Sequence, residues 1–283
     1  NFVAMFAQAG RVWRTIDPKL SENYINKSKL AWYWAIKNPA IVFINPDDVS
    51  TGGYGHDNFK GDFYWAASEL FVTTGESEFQ NYLSANTVDF NFIPGENWSN
   101  YLKNLGYYAL ILPESKLPVA EKDALEKTIL AEADKQNENL EKCPYRQPLS
   151  VFVWGSNSDI LDLGIIFAQA YKITRNSKYL DAAIETTDYI FGKNATGISF
   201  VTGFGSKSTM FPHFRLSASD GIDEPIPGWV SGGPNGNLND ACSERNPGGV
   251  KYTSTEPAQA YMDLEASYAS NEIAINWNAP LVY

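Results

Sequence analysis

The sequence has little of the residue types that carry metal and redox chemistry. Its 283 residues include 2 cysteines and 2 histidines. Cys143 and Cys242 lie far apart and match no metal-binding or redox spacing. The two thiols either pair with each other or stay free, and both alternatives remain open. The cysteines therefore indicate no metal or dithiol site.

Basic clusters and long apolar runs are also absent. The formal net charge is −11, and lysines and arginines are not gathered in any one stretch. Binding to nucleic acid needs such a cluster, because the phosphates must be neutralised. No apolar run approaches the roughly 20 residues that a membrane-spanning helix needs. We therefore expect neither nucleic acid as a partner nor a membrane span.

Apolar and aromatic residues are abundant, and their spacing is helical. The composition is 44% hydrophobic, with 8 Trp and 16 Tyr, which suffices for one large domain or two ordinary ones. Apolar residues recur at helical intervals through the first 190 residues, with little strand signal. About eight helical segments precede residue 192; they begin near residues 2, 21, 61, 77, 99, 118, 156 and 177. The fold class predicted from this pattern is all-α.

The helical segments show a coarse internal repeat. "ELFVTTGESEFQNYL" and "AQAYKITRNSKYLDAA" share an apolar helix, a short polar turn, then a serine, an aromatic residue and another helix. Helical hairpins of this kind must stack into a solenoid or close into a ring to bury their apolar faces. The first residues, "NFVAMFAQAGRVW", carry helical periodicity without a start methionine or a capping residue. We therefore expect the chain to be a fragment or a processed product.

From Gly192 to Glu256 the composition changes to glycine, proline, asparagine and serine. Loops this long in a compact domain are usually functional. His213 and Arg215 lie in this region two residues apart, and on an extended backbone this spacing points both side chains to one side. Together they could donate hydrogen bonds to hydroxyls or a carboxylate. On spacing alone, a hydrogen-bonded loop histidine and a surface arginine are the favoured explanation.

The stretch "YMDLEASYASNEIAINWNA", residues 261–279, contains acids between aromatic residues. On one continuous helix Asp263 and Glu272 would lie on opposite faces, because nine residues make about 2.5 turns. They can converge if a helix begins between them, with Ser270 or Asn271 as its N-cap. Glu272 would then lie in the first turn, where the helix dipole stabilises a carboxylate rather than a protonated acid. Burial against aromatic rings would have to outweigh this effect.

Other polar and aromatic candidates lie in loops. "TGGYGHDN" presents Tyr54 in a glycine-rich loop, and Trp154 precedes a capped helix as either a core residue or a stacking platform. Asp57, Asn58 and Asp62 supply oxygen ligands at a spacing compatible with a structural Ca²⁺ ion. The pattern of an EF-hand is absent, so a solvated loop is the favoured explanation of these residues.

Two long stretches resemble the signature regions of glycoside hydrolase family 9, the family of many inverting cellulases. "SFVTGFGSKSTMFPHFR" is similar to the family segment that ends in Pro-His-x-Arg, and "YMDLEASYASNEIAINWNA" is similar to its aromatic-x-Asp, aromatic, Asn-Glu segment. Three further stretches, "VWGSNSDILDLG", "PIPGWVSGGPN" and "GGYGHDNFKGDFYWAASEL", also look like this family. The chain departs from the pattern at Phe214, where many members have a second histidine.

The resemblance implies that residues 1–283 form a single, N-terminally incomplete (α/α)6 barrel domain of helical hairpins. The loops of such a barrel form a cleft for a β-glucan polysaccharide or cello-oligosaccharide. Glu272 matches the general acid that protonates the departing glycosidic oxygen. Asp263 belongs to the same segment, and we expect it to support the site. The substrate-binding positions that the resemblance implies are His213, Arg215, Tyr54 and Trp154. No cofactor is required by this chemistry.

The family's Asp-Ala-Gly-Asp motif, which supplies the base, is absent from the sequence. We therefore expect the chain to be the C-terminal two-thirds of the catalytic domain, with N-terminal helices and the base in a missing part of the same protein. Residues 1–283 alone should then be inactive. The expected location is extracellular, cell-surface or periplasmic. Alternatives are a carbohydrate-binding or inactive relative and, further behind, an α-solenoid interaction protein. The resemblance does not separate endo from exo action.

Overall fold

The computed structural model describes residues 1–49, 58–95 and 97–283. Over these residues the chain forms eleven α-helices and only isolated β-bridges. The helices are α1 Phe2–Trp13, α2 Pro18–Lys37, α3 Lys60–Thr74, α4 Ser77–Ala85, α5 Asn97–Leu110, α6 Val119–Lys142, α7 Ser156–Thr174, α8 Ser177–Ile190, α9 Arg215–Ser219, α10 Tyr268–Asn271 and α11 Ile275–Val282. Short 3₁₀ turns span Pro144–Arg146 and Pro257–Gln259. The all-α prediction and the eight helices before residue 192 are confirmed.

The repeat seen in the sequence has a common structure at the end of its first helix. Gly75 after α3 and Arg175 after α7 both take the left-handed conformation, with φ 71° and φ 58°. Thr74 and Thr174 each bond the carbonyl four residues earlier at 2.8 Å and then accept the N–H two residues later at 3.2 Å. The same turn therefore reverses the chain in both hairpins, and only Gly75 adopts its φ without strain.

The described residues form two compact units, of which the first comprises residues 1–92 and 96–128. Helix α1 packs against α2 and α3, and α3 also packs against α4 and α5. Trp32 of α2 lies at the centre of an aromatic cluster with Phe63, Phe79 and Tyr82. Asp17 caps α2 by accepting the Leu20 N–H at 2.9 Å, and α2 therefore begins at Pro18 rather than near residue 21.

The second unit comprises residues 93–95 and 129–283. Helix α7 packs against α8 and α11, and Ile160, Leu163 and Phe167 on α7 are completely buried. Between α8 and α10 the chain forms long loops, interrupted by α9 and one 3₁₀ turn. This agrees with the loop region predicted from Gly192 to Glu256. The candidate acids, His213, Arg215 and Trp154 all belong to this unit.

Two predictions about the chain as a whole have structural counterparts. Cys143 and Cys242 are both free thiols, so the alternative of a disulfide between them is wrong. Across residues 1–49, 58–95 and 97–283, the helices are all too short or too polar to cross a bilayer. The single domain over residues 1–283 stays a prediction.

Candidate active site

Glu272 lies between two short helices rather than in the first turn of one. Helix α10 ends at Asn271, Glu272 follows it with φ −62° and ψ 148°, and α11 begins at Ile275. The prediction that Ser270 or Asn271 is an N-cap is therefore wrong, because both residues end a helix that starts earlier. The helix-dipole argument against Glu272 as a protonated acid therefore no longer applies. Glu272 instead has an extended backbone and a half-buried side chain.

The carboxylate of Glu272 is bound by the indole of Trp154. Trp154 Nε1 donates a hydrogen bond of 2.9 Å to Glu272 Oε2. The Trp154 side chain is 41% exposed, which rules out the core alternative for this residue. Its ring packs at 5.1 Å from the ring of Tyr268, which in turn meets the ring of His213 edge-on at 6.0 Å. The rings of Trp154, Tyr268 and His213 thus form one row, and the Trp154 indole is bonded to the Glu272 carboxylate.

The main chain of Glu272 is held by two neighbouring loop segments. Gly232 N–H donates to Glu272 O at 3.0 Å, and His213 forms a parallel bridge with Glu272 through its N–H bond to Asn271 O at 2.8 Å. The start of α7 joins the same arrangement, because Asn157 N–H donates to Gly232 O at 3.0 Å. The segments carrying Trp154, His213 and Glu272 are therefore fixed to one another by backbone hydrogen bonds.

The half-buried ring of His213 has a defined tautomer. Its Nδ1 lies 2.6 Å from the main-chain carbonyl of Glu265, an atom that can only accept. Nδ1 must then carry a proton, and in the neutral ring Nε2 is the acceptor. The hydrogen bond to this carbonyl fixes the orientation of the ring. His213 can therefore offer Nε2 to a hydroxyl of a bound ligand.

Arg215 is exposed and is the first residue of α9. Phe214, between it and His213, is extended with φ −141° and ψ 100°, as the predicted two-residue spacing requires. The Phe214 ring packs edge-on against Trp229 at 4.7 Å. The position where the family pattern has a second histidine is thus occupied by a side chain that contacts a tryptophan.

Asp263 joins segments of the site and does not face Glu272 through any hydrogen bond in the described part of the chain. Its two oxygens accept the N–H groups of Met210 at 2.8 Å and Phe211 at 2.9 Å. Asn271 Nδ2 also donates to Asp263 Oδ1 at 3.2 Å. The carboxylate therefore anchors the loop that leads to His213. The supporting role of Asp263 in the site stays a prediction.

Asp240 is a supporting residue that the sequence patterns do not reveal. It is buried and accepts hydrogen bonds from Tyr252 Oη at 2.6 Å, Ser267 Oγ at 3.1 Å and Ala269 N at 3.0 Å. It thereby binds the start of α10, and burial followed by the Asp240 bond raises the pKa of Tyr252 to about 12. The sequence around Asp240, "NGNLND", does not indicate a contact with α10, because Asp240 and its partners there are 27 or more residues apart.

A second buried carboxylate, Asp159, lies in the first turn of α7, five residues after Trp154. Its Oδ2 accepts the Gly95 N–H at 2.9 Å, and its Oδ1 is buried with no hydrogen-bond partner in the described part of the chain. Burial raises the pKa of Asp159 to about 7, and the Gly95 N–H opposes this rise. Asp159 is thus a buried and only partly paired carboxylate at the start of the helix that follows Trp154.

Replacing Asp159 by asparagine should change how stability depends on pH. The folded-state pKa of Asp159 is raised above the unfolded value, so its protonated form favours folding at low pH, and this contribution is lost as pH rises from about 4 to about 7. Asp159→Asn removes the titration. The free energy of unfolding of the variant, relative to wild type, should rise by about 1–4 kcal/mol over that pH range. Urea unfolding at several pH values measures it, and a constant difference would contradict it.

Two predicted features fall wholly or partly outside the described residues. Tyr54 and Asp57 lie in residues 50–57, so the structure does not test Tyr54 as a substrate contact. In the described ranges no three or more His, Cys, Asp or Glu side chains are grouped as a metal site. Asn58 Oδ1 lies 3.3 Å from the N–H of Lys60. A structural Ca²⁺ ion at Asp57, Asn58 and Asp62 stays a prediction.

Comparison with known sequences identifies the family. The family model described as Glycosyl hydrolase family 9 matches residues 1–283. The chain is 36% identical over 300 residues to a xyloglucan-specific endo-beta-1,4-glucanase of Bacteroides ovatus, covering 100% of this chain and 49% of that protein. It is 35% identical over 312 residues to a cellulose 1,4-beta-cellobiosidase of Acetivibrio thermocellus, covering 100% of this chain and 34% of the relative.

Comparison with solved structures identifies the same family by its fold. The structure of a Bacteroides ovatus family 9 protein superposes with a TM-score of 0.86 and 34% identity, covering 99% of this chain and 51% of that one. The chain belongs to glycosyl hydrolase family 9, and its all-α fold matches the (α/α)6 barrels of that family. It spans about half or less of the length of these relatives.

Proposed function

We propose that this chain supplies the acid half of a catalytic site that hydrolyses β-1,4-glucosidic bonds in cellulose or related β-glucans with inversion. Membership of family 9 supports the class of reaction. The observation that carries the assignment of the acid is the environment of Glu272, a half-buried carboxylate with Trp154 bonded to one oxygen. Such a group can protonate a glycosidic oxygen while neighbouring rings hold the sugar.

The base of this reaction is proposed to lie outside the 283 residues. Inversion requires a second carboxylate roughly 6.5–9.5 Å from the acid, with the attacking water between them. Asp263 is a poor candidate, because both of its oxygens are occupied by main-chain N–H groups. The Asp-Ala-Gly-Asp motif of the family is absent from the sequence. The partner of Glu272 is therefore proposed to be an aspartate in a preceding segment of the same protein.

The proposed ligands are β-glucan chains and cello-oligosaccharides. Curated relatives include a xyloglucan-specific endoglucanase and a cellobiosidase, so the family membership does not choose one glucan. His213 Nε2 and the exposed guanidinium of Arg215 provide hydrogen-bond groups for sugar hydroxyls, and Trp154 provides an exposed ring face. Because the proposed substrate is a polymer, we expect the protein to act outside the cytoplasm.

Residues 1–283 expressed alone should not hydrolyse β-glucans. A positioned proton donor contributes about 10²- to 10⁴-fold by itself, and the base is needed to activate water. The assay compares this segment with the full-length protein on cellulose, mixed-linkage glucan and xyloglucan, by release of reducing ends. Activity only in the full-length protein is the expected result. Turnover by the segment at the full-length rate would contradict the placement of the base.

A carbohydrate-binding protein without catalysis is the second candidate, favoured by the same absence of the base motif from the sequence. The full-length protein distinguishes the two candidates. Binding of cellotetraose without release of reducing ends, under conditions in which the protein is folded, would support binding alone. Hydrolysis that requires Glu272 would exclude it.

A further inference from the structure

A chain of buried hydroxyl and amide groups lies beneath Glu272. Asn271, the residue before it, is completely buried. Its side-chain Nδ2 donates to Phe211 O at 2.5 Å and to Leu264 O at 3.2 Å. Its Oδ1 accepts from Tyr261 Oη at 2.6 Å. One amide therefore contacts the His213 loop and the Asp263 segment while its own main chain leads directly into Glu272.

The direction of these hydrogen bonds follows from the chemistry of the partners. The carbonyls of Phe211 and Leu264 can only accept, so the amide nitrogen of Asn271 must face them and its oxygen must face Tyr261. Tyr261 has one proton and gives it to Asn271. The Thr209 hydroxyl, 2.6 Å from Tyr261 Oη, must then donate to Tyr261. The order of donation is Thr209 to Tyr261 to Asn271.

We propose that Asn271, oriented by the Tyr261 hydroxyl, is the positioning residue that sets Glu272 and His213 relative to each other. The main-chain carbonyl of Asn271 accepts the His213 N–H at 2.8 Å. The side-chain amide of Asn271 donates to the carbonyl of Phe211, which lies two residues before His213. Rotation of the side-chain amide would break its bonds to Phe211 and to Leu264 together. This inference rests on the proposed function for its effect on hydrolysis, but not for its geometry.

The chain offers a closely matched control for removal of the Tyr261 hydroxyl. Tyr189 is as deeply buried, at 2% against 5% exposure, and packs on Phe200, which also packs on Tyr261. Its hydroxyl has no hydrogen-bond partner in the described residues. Tyr189→Phe and Tyr261→Phe therefore remove the same atom from the same aromatic cluster. Only the second change leaves the oxygen of Asn271 unpaired.

The experiment uses the full-length protein and two readouts. Trp154 Nε1–H donates to Glu272, so its NMR resonance, assigned with Trp154→Phe, reports the position of that carboxylate without any turnover. In Tyr261→Phe this resonance should shift and kcat on cellotetraose should fall on the order of tenfold, with KM unchanged within about twofold. In Tyr189→Phe neither should change. Thr209→Val should give a smaller effect in the same direction, and Thr209→Ser should retain the wild-type behaviour.

The outcomes separate this inference from the proposed function. An unmoved Trp154 resonance, or a lower melting temperature with an unchanged kcat, would overturn the positioning role of Asn271. If Tyr261→Phe does not fold, Thr209→Val is judged by the same two results. A wild-type protein that hydrolyses no glucan would refute the proposed function alone. The indole resonance would still decide whether Asn271 positions Glu272.

Discussion

Glu272→Gln in the full-length protein should lower hydrolysis of β-glucans by about 10²- to 10⁴-fold, the contribution expected of one positioned proton donor. Glutamine has nearly the same shape and retains an oxygen for the Trp154 indole, which donates to Glu272 at 2.9 Å in the wild type. The site should therefore keep its geometry and its affinity for cellotetraose. The measurement pairs initial rates with calorimetric titration of the oligosaccharide.

Glu256→Gln is the matched control for this prediction. Glu256 is an exposed glutamate of the same unit that forms no hydrogen bond to Glu272, His213 or Trp154. Its replacement should leave both rate and affinity unchanged. Wild-type rates in Glu272→Gln would remove Glu272 as the acid. Loss of binding together with rate would indicate that the substitution damages the site rather than the proton transfer.

Asp263→Ala should have the second largest effect. The effect should come from the loss of hydrogen bonds that stabilise the loop, and not from the loss of a proton donor. The substitution leaves the N–H groups of Met210 and Phe211 without their acceptors, which are now 2.8 and 2.9 Å away. Hydrogen bonds to a charged group contribute about 1.5–3 kcal/mol each, and partial exposure reduces this, so we expect a loss of about 2–4 kcal/mol in the free energy of unfolding. Because the same loop leads to His213, hydrolysis should fall as well. Urea unfolding and initial rates measure the two effects.

Asp220 provides the comparison for Asp263. It is an exposed aspartate of the same unit whose Oδ1 accepts one main-chain N–H, from Ile222 at 2.8 Å. Asp220→Ala should cost about 1 kcal/mol or less, because water can replace the lost partner. Equal costs for the two substitutions would contradict the view that Asp263 joins separate segments.

The helices are predictable because their signals are local. Asp17 and Pro18 mark the start of α2 within a few residues, and Thr74 with Gly75 closes α3 by bonds to its own last turn. Arg175 shows the limit of this reasoning. It adopts the same left-handed conformation as Gly75, although arginine, unlike glycine, does not indicate that conformation in a sequence. The hydrogen-bonding context, rather than glycine, specifies that turn.

The site is less predictable because its contacts are distant in sequence. The family resemblance selected Glu272, His213 and Trp154, but the helix register around Glu272 was wrong. Asn271 is the last residue of α10, and its buried amide bonds residues 60 and 10 positions away in the sequence. Asp240 was missed for a related reason, since its partners lie in another loop. Periodicity carries no information about such contacts.

The central claim is that Glu272 donates the proton to the leaving group, and the leaving group itself provides the test. A dinitrophenyl β-cellobioside releases a stable phenolate that needs no proton, whereas cellotetraose releases a sugar oxygen that does. The measurement is kcat/KM of the full-length Glu272→Gln variant on both substrates. We predict a loss of about 10²- to 10⁴-fold on cellotetraose and of less than about tenfold on the dinitrophenyl substrate. Equal losses on the two substrates would contradict the assignment of Glu272 as the general acid.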